Sequence, residues 1–497
     1  MSIFSNKLKE LFSIKSVDKR LVAQSLNIDR ALLYRYLNDQ SFPEDTAFIQ
    51  HLQNELYLTP YEYKELCDAY EITKLGETVY QNRKIVAKIL DRLFSQTRPA
   101  EATSPSAFDL DGRSIIPLTD RDTIYSALHR IIMDPRTTDI WINLQPDRDF
   151  VYGSLFQLLK EKICTQKTNI RHILRFQSKT TSHIGSYNLQ IFSQLLPLLY
   201  YCIYYTDSSY YANYYYNNQA AVDERAMDIF PNILITPWCT ITMSFHYGNG
   251  ILYIDQGVSA IYQKNFKEIE KNTFPFVLSD QQSLNLTEQC RKNPYREYVF
   301  KPHPSASLGL GMEFYSSQSM HYDKDTISLS TTFQEYHQAK EDILYAPTHV
   351  ARKDFFTASG LKKFLETGQL YTFFSDYTTP LEKDEIIQFL KRYVAIIEAH
   401  PHFSCHLIYD DVPNRCNGNF AVFVLNDNTL VVENSRRKLR NISSIIEVTE
   451  KSIVDAFCDY LNTGIVSSGS TASREETLDV LKGKIREMEM ENAGNFL

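Results

Sequence analysis

Over the first 75 positions apolar residues recur at steps of three and four, the period of helices that bury one stripe. Leu8, Leu11 and Phe12 mark a first helix over Asn6–Ile14. Val22 and Leu26 mark a second; Leu33, Tyr36 and Leu37 mark a third that can pack on Val22, Leu26 and Ile28. A fourth, opened by Pro43, carries Phe48, Ile49, Leu52 and Leu56. The fifth begins at Thr59-Pro60-Tyr61-Glu62, a capping box with proline at the first helical position, and runs through Leu66 and Ala69. Next, Asn82–Phe94 places Ile85, Ile89, Leu90 and Leu93 on one side and is either a connecting helix or a dimer contact. The polar run Ser95–Ser106 reads as a linker.

Beyond the linker the period changes. Ile140–Leu144 and Ile170–Phe176 read as strands, separated by a helical Phe150–Lys160 and followed by a helix over Tyr187–Tyr201 and the run Tyr210–Tyr216. Such alternation predicts a partly parallel sheet. Asn232–Thr236, Thr240–Phe245 and Ile251–Asp255 add strands, the last two around the turn Tyr247-Gly248-Asn249-Gly250, and Val258–Glu270 is a helix. Asn293–Tyr345 is irregular; Phe355–Thr367 and Lys383–Glu398 are helical. Phe420–Leu425 and Thr429–Glu433 form a hairpin, and Ile442–Val448 leads to a helix over Lys451–Leu461. The stretches ILYIDQGVSAIYQKNFKEIE and SIIEVTEKSIVDAFCDYLNT repeat one order of strand, polar turn and helix. They are either two copies of one half-unit or two ordinary strand–helix pairs. Ile465–Ser473 is expected to be a flexible joint. After it a last helix presents Leu478, Leu481, Ile485 and Met488, which dock on the body or on a second subunit.

The fold expected is therefore multi-domain: an N-terminal all-α helix-turn-helix bundle followed by an α/β body, which consists of two related halves if that repeat is a true one. The domains expected are 1–80 for the bundle, 81–106 for a connecting helix and linker, 107–290 and 291–464 for two α/β regions, and 465–497 for the joint and last helix.

The most informative stretch is Val22–Pro43, VAQSLNIDRALLYRYLNDQSFP. Ala23 lets a neighbouring helix approach closely. Asn27 tolerates the positive φ that a sharp turn between helices demands. Asp29 caps a helix beginning at Arg30, whose outer face carries Arg30, Ala31, Tyr34, Arg35 and Asn38. Such residue types reach bases and phosphates. An ordinary helical hairpin is the plain alternative. The stretch resembles the helix-turn-helix of lambda-repressor-like (Xre-type) regulators through Ala23, Asn27, Ile28, Asp29, Leu33, Tyr36 and Pro43. Asn27 stands where those regulators usually carry Gly, and Leu37 where Glu is common. The resemblance implies double-stranded DNA as partner, with Lys19, Arg20 and Arg35 on phosphates and Arg30, Ala31 and Tyr34 facing base edges; Asn38 completes the surface.

Charge sharpens this reading. The chain of 497 residues carries a net charge of −8, yet residues 1–40 hold seven Lys/Arg against four Asp/Glu, a net of +3. Attraction for nucleic acid is therefore local to the head. Eight scattered cysteines without a CxxC pair point to a reduced, cytoplasmic setting. MSIFSNKLKELF turns polar too early for a signal peptide, and Leu189–Tyr205, interrupted by Pro197, is too short to span a membrane.

Catalytic signatures are sparse. There is no GxxxxGK[ST], HExxH or GxSxG motif, and Leu308-Gly309-Leu310-Gly311 lacks a third glycine. The paired halves resemble the phospholipase-D-like fold, whose enzymes need an HxK motif in each lobe. None of the twelve His is followed two places later by Lys. His400, His402, Cys405, His406 and Cys416 are zinc-type ligands at a spacing that matches no structural site, and ordinary surface and core residues are the plainer reading. Nine tyrosines between Tyr200 and Tyr216 line a pocket or interface, or serve as bulk. Arg436, Arg437, Lys438 and Arg440 make a short basic turn.

These readings predict a transcriptional regulator without catalysis, cofactor or metal: a homodimer whose body senses a small-molecule or peptide effector or oligomerises. The rivals are a nucleic-acid-directed enzyme with a targeting head, and an interaction scaffold.

Overall fold

A computed structural model describes residues 1–94, 108–110, 112–144, 150–178, 186–204, 208–217, 231–276, 296–305, 309, 351–370, 380–409, 420–434, 445–466 and 470–494. The linker 95–106, most of Asn293–Tyr345, Cys416 and the basic turn Arg436–Arg440 lie outside these residues. The chain divides into two compact units, Met1–Lys84 and Ile85–Leu497.

The first unit is helical: α1 (Ile3–Lys15), α2 (Lys19–Ser25), α3 (Arg30–Leu37), α4 (Ala47–Glu55), α5 (Pro60–Leu75) and the start of α6 (Glu77–Phe94). Each start follows local chemistry. The side chains of Ser2, Asp18 and Asp29 accept the backbone N–H groups of Ser5, Arg20 and Ala31. Thr59 and Glu62 cap α5 reciprocally. The α2–α3 turn passes through Asn27 at φ 53°, the left-handed conformation its residue type allows. Phe4, Leu8, Leu33, Leu37, Ile49 and Leu52 are buried in one core. Pro43 does not open α4, which begins four residues later behind Asp45. Pro43 is instead buried, and its carbonyl accepts the Tyr70 hydroxyl at 3.2 Å.

The second unit holds two mixed sheets. The first comprises β1 (Ile115–Leu118), β2 (Asp139–Asn143), β3 (Asn169–Gln177), β4 (Ser209–Asn217), β5 (Asn232–Ile235), β6 (Thr240–Met243), β7 (Gly250–Tyr253) and β8 (Phe274–Pro275). Helices α7 (Arg121–Ile132), α8 (Phe156–Thr165), α9 (Tyr187–Tyr204) and α10 (Gln256–Glu270) belong with it. The second comprises β9 (Arg296–Lys301), β10 (Ala351–Thr357), β11 (Phe403–Ile408), β12 (Phe420–Leu425), β13 (Thr429–Asn434) and β14 (Ile445–Val448). It carries α11 (Ala358–Thr367), α12 (Lys383–Ala399), α13 (Lys451–Asp459) and α14 (Arg474–Gly494).

The sheet orders are β1-β7-β6-β5-β2-β3-β4-β8 and β11-β10-β9-β12-β13-β14. Within the first, β4-β3-β2-β5-β6-β7 shows two parallel pairings followed by three antiparallel ones. The second, from β11 to β14, repeats that sequence of directions strand for strand. In each, the last strand of the run leads into a helix, α10 or α13. The chain then returns antiparallel along the edge strand at the other end. Phe274 and Pro275 pair with β4, and Ser470 to Ala472 pair with β11. The segment expected as a flexible joint thus supplies that return.

Between the sheets, α9 and α13 pack on each other, with Phe192 and Phe457 ring centroids 6.3 Å apart. They merge apolar faces of both sheets into one core. On the other face of the first sheet, Phe266 of α10 covers Trp141 and Ile235. On the second, α11, α12 and α14 cover Phe356, Cys405 and Leu407. The tyrosine-rich strand β4 serves both sides of its sheet. Tyr214 and Tyr216 face the core with α9, whereas Tyr211 and Tyr215 lie under Arg171 and Arg175 of β3.

Candidate nucleic-acid interface

Of the predicted residues, Lys19 and Arg20 open α2, Arg30 and Ala31 open α3, Tyr34 follows one turn on, and Arg35 and Asn38 lie at the end of α3. Arg30, Ala31, Arg35 and Asn38 are exposed on α3, opposite the buried Leu33 and Leu37; Arg20 is exposed on α2. Lys19 and Tyr34 are half-buried. The four acids of residues 1–40 take their hydrogen bonds and ion pairs from other groups, although Asp18 still acts on Arg30 through space. Asp18 and Asp29 cap α2 and α3. Asp39 accepts the Ser2 N–H at 2.6 Å and the Ser5 hydroxyl at 3.1 Å. Glu10 pairs with Lys7. Among the described residues none of Lys19, Arg20, Arg30 and Arg35 lies within ion-pair distance of a carboxylate. The +3 of residues 1–40 does not carry over to the folded unit Met1–Lys84, where 11 Lys/Arg meet 12 Asp/Glu and where Glu65 and Glu62 pair with Lys7 and Lys15. The positive character is confined to the patch of Lys19, Arg20, Arg30 and Arg35.

Tyr34 draws two of these cations together. The Arg30 guanidinium lies 5.3 Å and the Lys19 ammonium 5.6 Å from the ring centroid. Arg30 Nη2 donates to the Tyr34 hydroxyl at 3.5 Å. That hydrogen bond lowers the Tyr34 phenol from its ordinary value and raises Arg30. The Arg30–Tyr34 spacing of four was legible on a helix surface. The arrival of Lys19 from another helix was not, because it depends on how α2 crosses α3.

Three other features bear on function. The metal-ligand types at 400–406 do not converge. Cys405 and His406 are neighbours on β11 and so project to opposite faces. Cys405 enters the core beneath α12, while His406 bonds the Ala472 carbonyl and Ser404 at 3.1 Å each. Among the described residues no group of three or more His, Cys, Asp or Glu could hold a metal ion. The body also contains a polar cluster that no motif announced. Arg352 donates to Glu297 at 2.7 Å and to the Ser305 hydroxyl at 2.8 Å. Asp354 accepts the Ser305 N–H, the Ser305 hydroxyl and the Tyr393 hydroxyl at 3.1, 3.0 and 2.9 Å. All five residues are buried, and burial next to Asp354 pushes the Tyr393 phenol well above its usual value. The cluster ties β9 and β10 to α12. A third network joins α9 to α13: Glu450, capping α13, accepts Tyr216 at 2.8 Å and Asn188 at 3.4 Å.

No protein-family model and no curated protein matches the chain. Among solved structures it is similar to a phosphatidylserine synthase of Haemophilus influenzae Rd KW20 at 8% identity and TM-score 0.24, over 82% of this chain and 99% of that one. It is also similar to TrmBL2, an archaeal chromatin protein, at 10% identity and TM-score 0.20, over 50% and 84%. Both scores lie below the level at which a shared fold is recognised. Among the described residues no helix is long and apolar enough to cross a membrane.

Proposed function

We propose that the chain is a sequence-specific DNA-binding transcriptional regulator of Xre type, acting in the cytoplasm. Its head reads double-stranded DNA, and its body senses an effector or oligomerises. The observation that carries this reading is the open face of α3. A capped turn with Asn27 at positive φ exposes Arg30, Ala31, Arg35 and Asn38 beside Lys19 and Arg20. Asp18 and Asp29 cap the two helices, and among the described residues no carboxylate lies within ion-pair distance of Lys19, Arg20, Arg30 or Arg35. We also read the body as two copies of one α/β unit, because the strand order and directions repeat through six strands, a helix and a return. That pairing suits the phospholipase-D-like resemblance, and without an HxK motif in either half we assign the body no catalysis.

The decisive experiment is to mix the full chain with fragmented DNA from its own genome and sequence what it retains. Recovery of one shared motif is expected; retention of none overturns the reading. With that motif, Arg30→Ala should lower specific affinity by about 1–3 kcal/mol and relax preference at one base position. Equal loss on specific and random duplexes would make Arg30 a phosphate contact. Hydrolysis of nucleotides or nucleic acid by the purified chain would favour the enzyme reading instead.

A further inference from the structure

We propose that Tyr34 is the positioning residue of the DNA-reading face, a platform that seats Arg30 and Lys19 rather than a reader of bases. The inference rests on the DNA reading above. Three observations carry it. The ring stands between the first turns of two helices, with one cation from each within 5.6 Å of its centroid. The hydroxyl holds Arg30 from the side through Nη2. The ring is half-buried, whereas Arg30 is exposed, so the aromatic is the fixed partner and the guanidinium the presented one.

The physical reason for such a platform is the mobility of a lone arginine at a helix start. An unrestrained side chain loses rotamer freedom when it engages a base, which weakens binding. A ring whose face attracts cations confines the guanidinium beforehand, and the hydroxyl selects its rotation about the ring. Lys19 on the same ring is held one helix away, so the spacing between the two cations is set before DNA arrives. Tyr34, placed among the base-facing residues by sequence, then has its ring engaged by protein cations.

The test uses the full chain and the duplex most enriched in the genomic selection, a single-base variant of it, and a random duplex of equal length. Wild type, Arg30→Ala, Tyr34→Ala, Tyr34→Phe and the Arg30→Ala/Tyr34→Ala double variant are compared by fluorescence anisotropy across a salt series. Tyr34→Ala should lose discrimination between the first two duplexes to within about twofold of Arg30→Ala, and the double variant should be no worse than Arg30→Ala, as coupled neighbours are non-additive. Tyr34→Phe, which keeps the ring, should retain most of the discrimination. Additive losses would overturn the proposal by making Tyr34 an independent contact. Equal weakening on all three duplexes would overturn it as well, leaving Tyr34 a fold residue. A separate arm needs no DNA. In the full chain labelled at the tyrosine ζ carbon, the signal missing from Tyr34→Phe should titrate at higher pH once Arg30 is replaced by Ala. No movement there would mean the seat does not exist. If wild type binds no duplex, the DNA reading falls and this proposal with it, while a moving titration would still register the seat.

Discussion

Single residues in this chain do work that their types foretell. Asn27 takes the positive φ, Asp29 the cap, and Thr59 with Glu62 the reciprocal cap. Glu447 is the exception. It sits on β14 opposite Val431, is 1% exposed, and among the described residues neither carboxylate oxygen has a hydrogen-bond partner. Burial raises its pKa from 4.5 to about 7. The sign follows from linkage. Below pH 4.5 the carboxyl is neutral in both folded and unfolded chains and costs no ionisation penalty. Between 4.5 and about 7 the unfolded chain releases the proton while the fold retains it, so stability falls as pH rises. The full loss, about 3 kcal/mol at 1.36 kcal/mol per pK unit, is present above pH 7. Glu447→Gln should therefore gain stability over wild type progressively from pH 4.5 to 7, measured by thermal melts across that range. A gap that stays constant with pH would contradict this account.

At the scale of elements, α14 shows which force holds a docked helix. Its Leu478, Leu481, Ile485 and Met488 stripe is buried against α12 and β11. Around that stripe run three ion pairs, Lys383–Glu491, Lys391–Glu489 and Lys482–Glu398, at 2.8, 2.6 and 2.6 Å. Those pairs are solvated and screened, and pairs of that kind contribute little. Leu481 is fully buried, and truncating such a side chain costs about 2–5 kcal/mol through lost transfer and a cavity. Leu481→Ala should thus destabilise the body more than replacing Lys383, Lys391 and Lys482 together by Ala. Urea unfolding of the full chain, followed at the body transition, makes the comparison. The reverse order would mean that charge, not the stripe, seats the helix.

At the scale of the molecule, the proposed function carries a requirement on assembly. One helix-turn-helix spans only a few base pairs, and regulators of this type gain affinity by placing two heads on two half-sites. With the C-terminal stripe already docked on α12 and β11, a dimer contact has to use other surfaces beyond the head. Light scattering should give a dimer for the full chain and a monomer for residues 1–84. A full chain that stays monomeric at micromolar concentration, with and without DNA, would remove the two-head mechanism.

Local chemistry was enough to read the head. Caps, a turn residue and helical periodicity act within about ten positions, so Val22 to Leu37 announced its own geometry without long-range help. The repeated strand-and-helix order at Ile251–Glu270 and Ser444–Thr463 was visible for the same reason, and these stretches are β7–α10 and β14–α13. Other outcomes required the chain to meet itself. Pro43 looks like a helix opener in sequence, but Tyr70, 27 positions away, takes its carbonyl in the buried core. Cys405 and His406 look like partners until pleating sends them to opposite faces. The seat of Lys19 on Tyr34 depends on a helix crossing. The Arg352–Glu297–Ser305–Asp354–Tyr393 cluster joins three elements up to 96 positions apart. Register and crossing geometry are set by which apolar faces pack together, and no single window of sequence contains both faces.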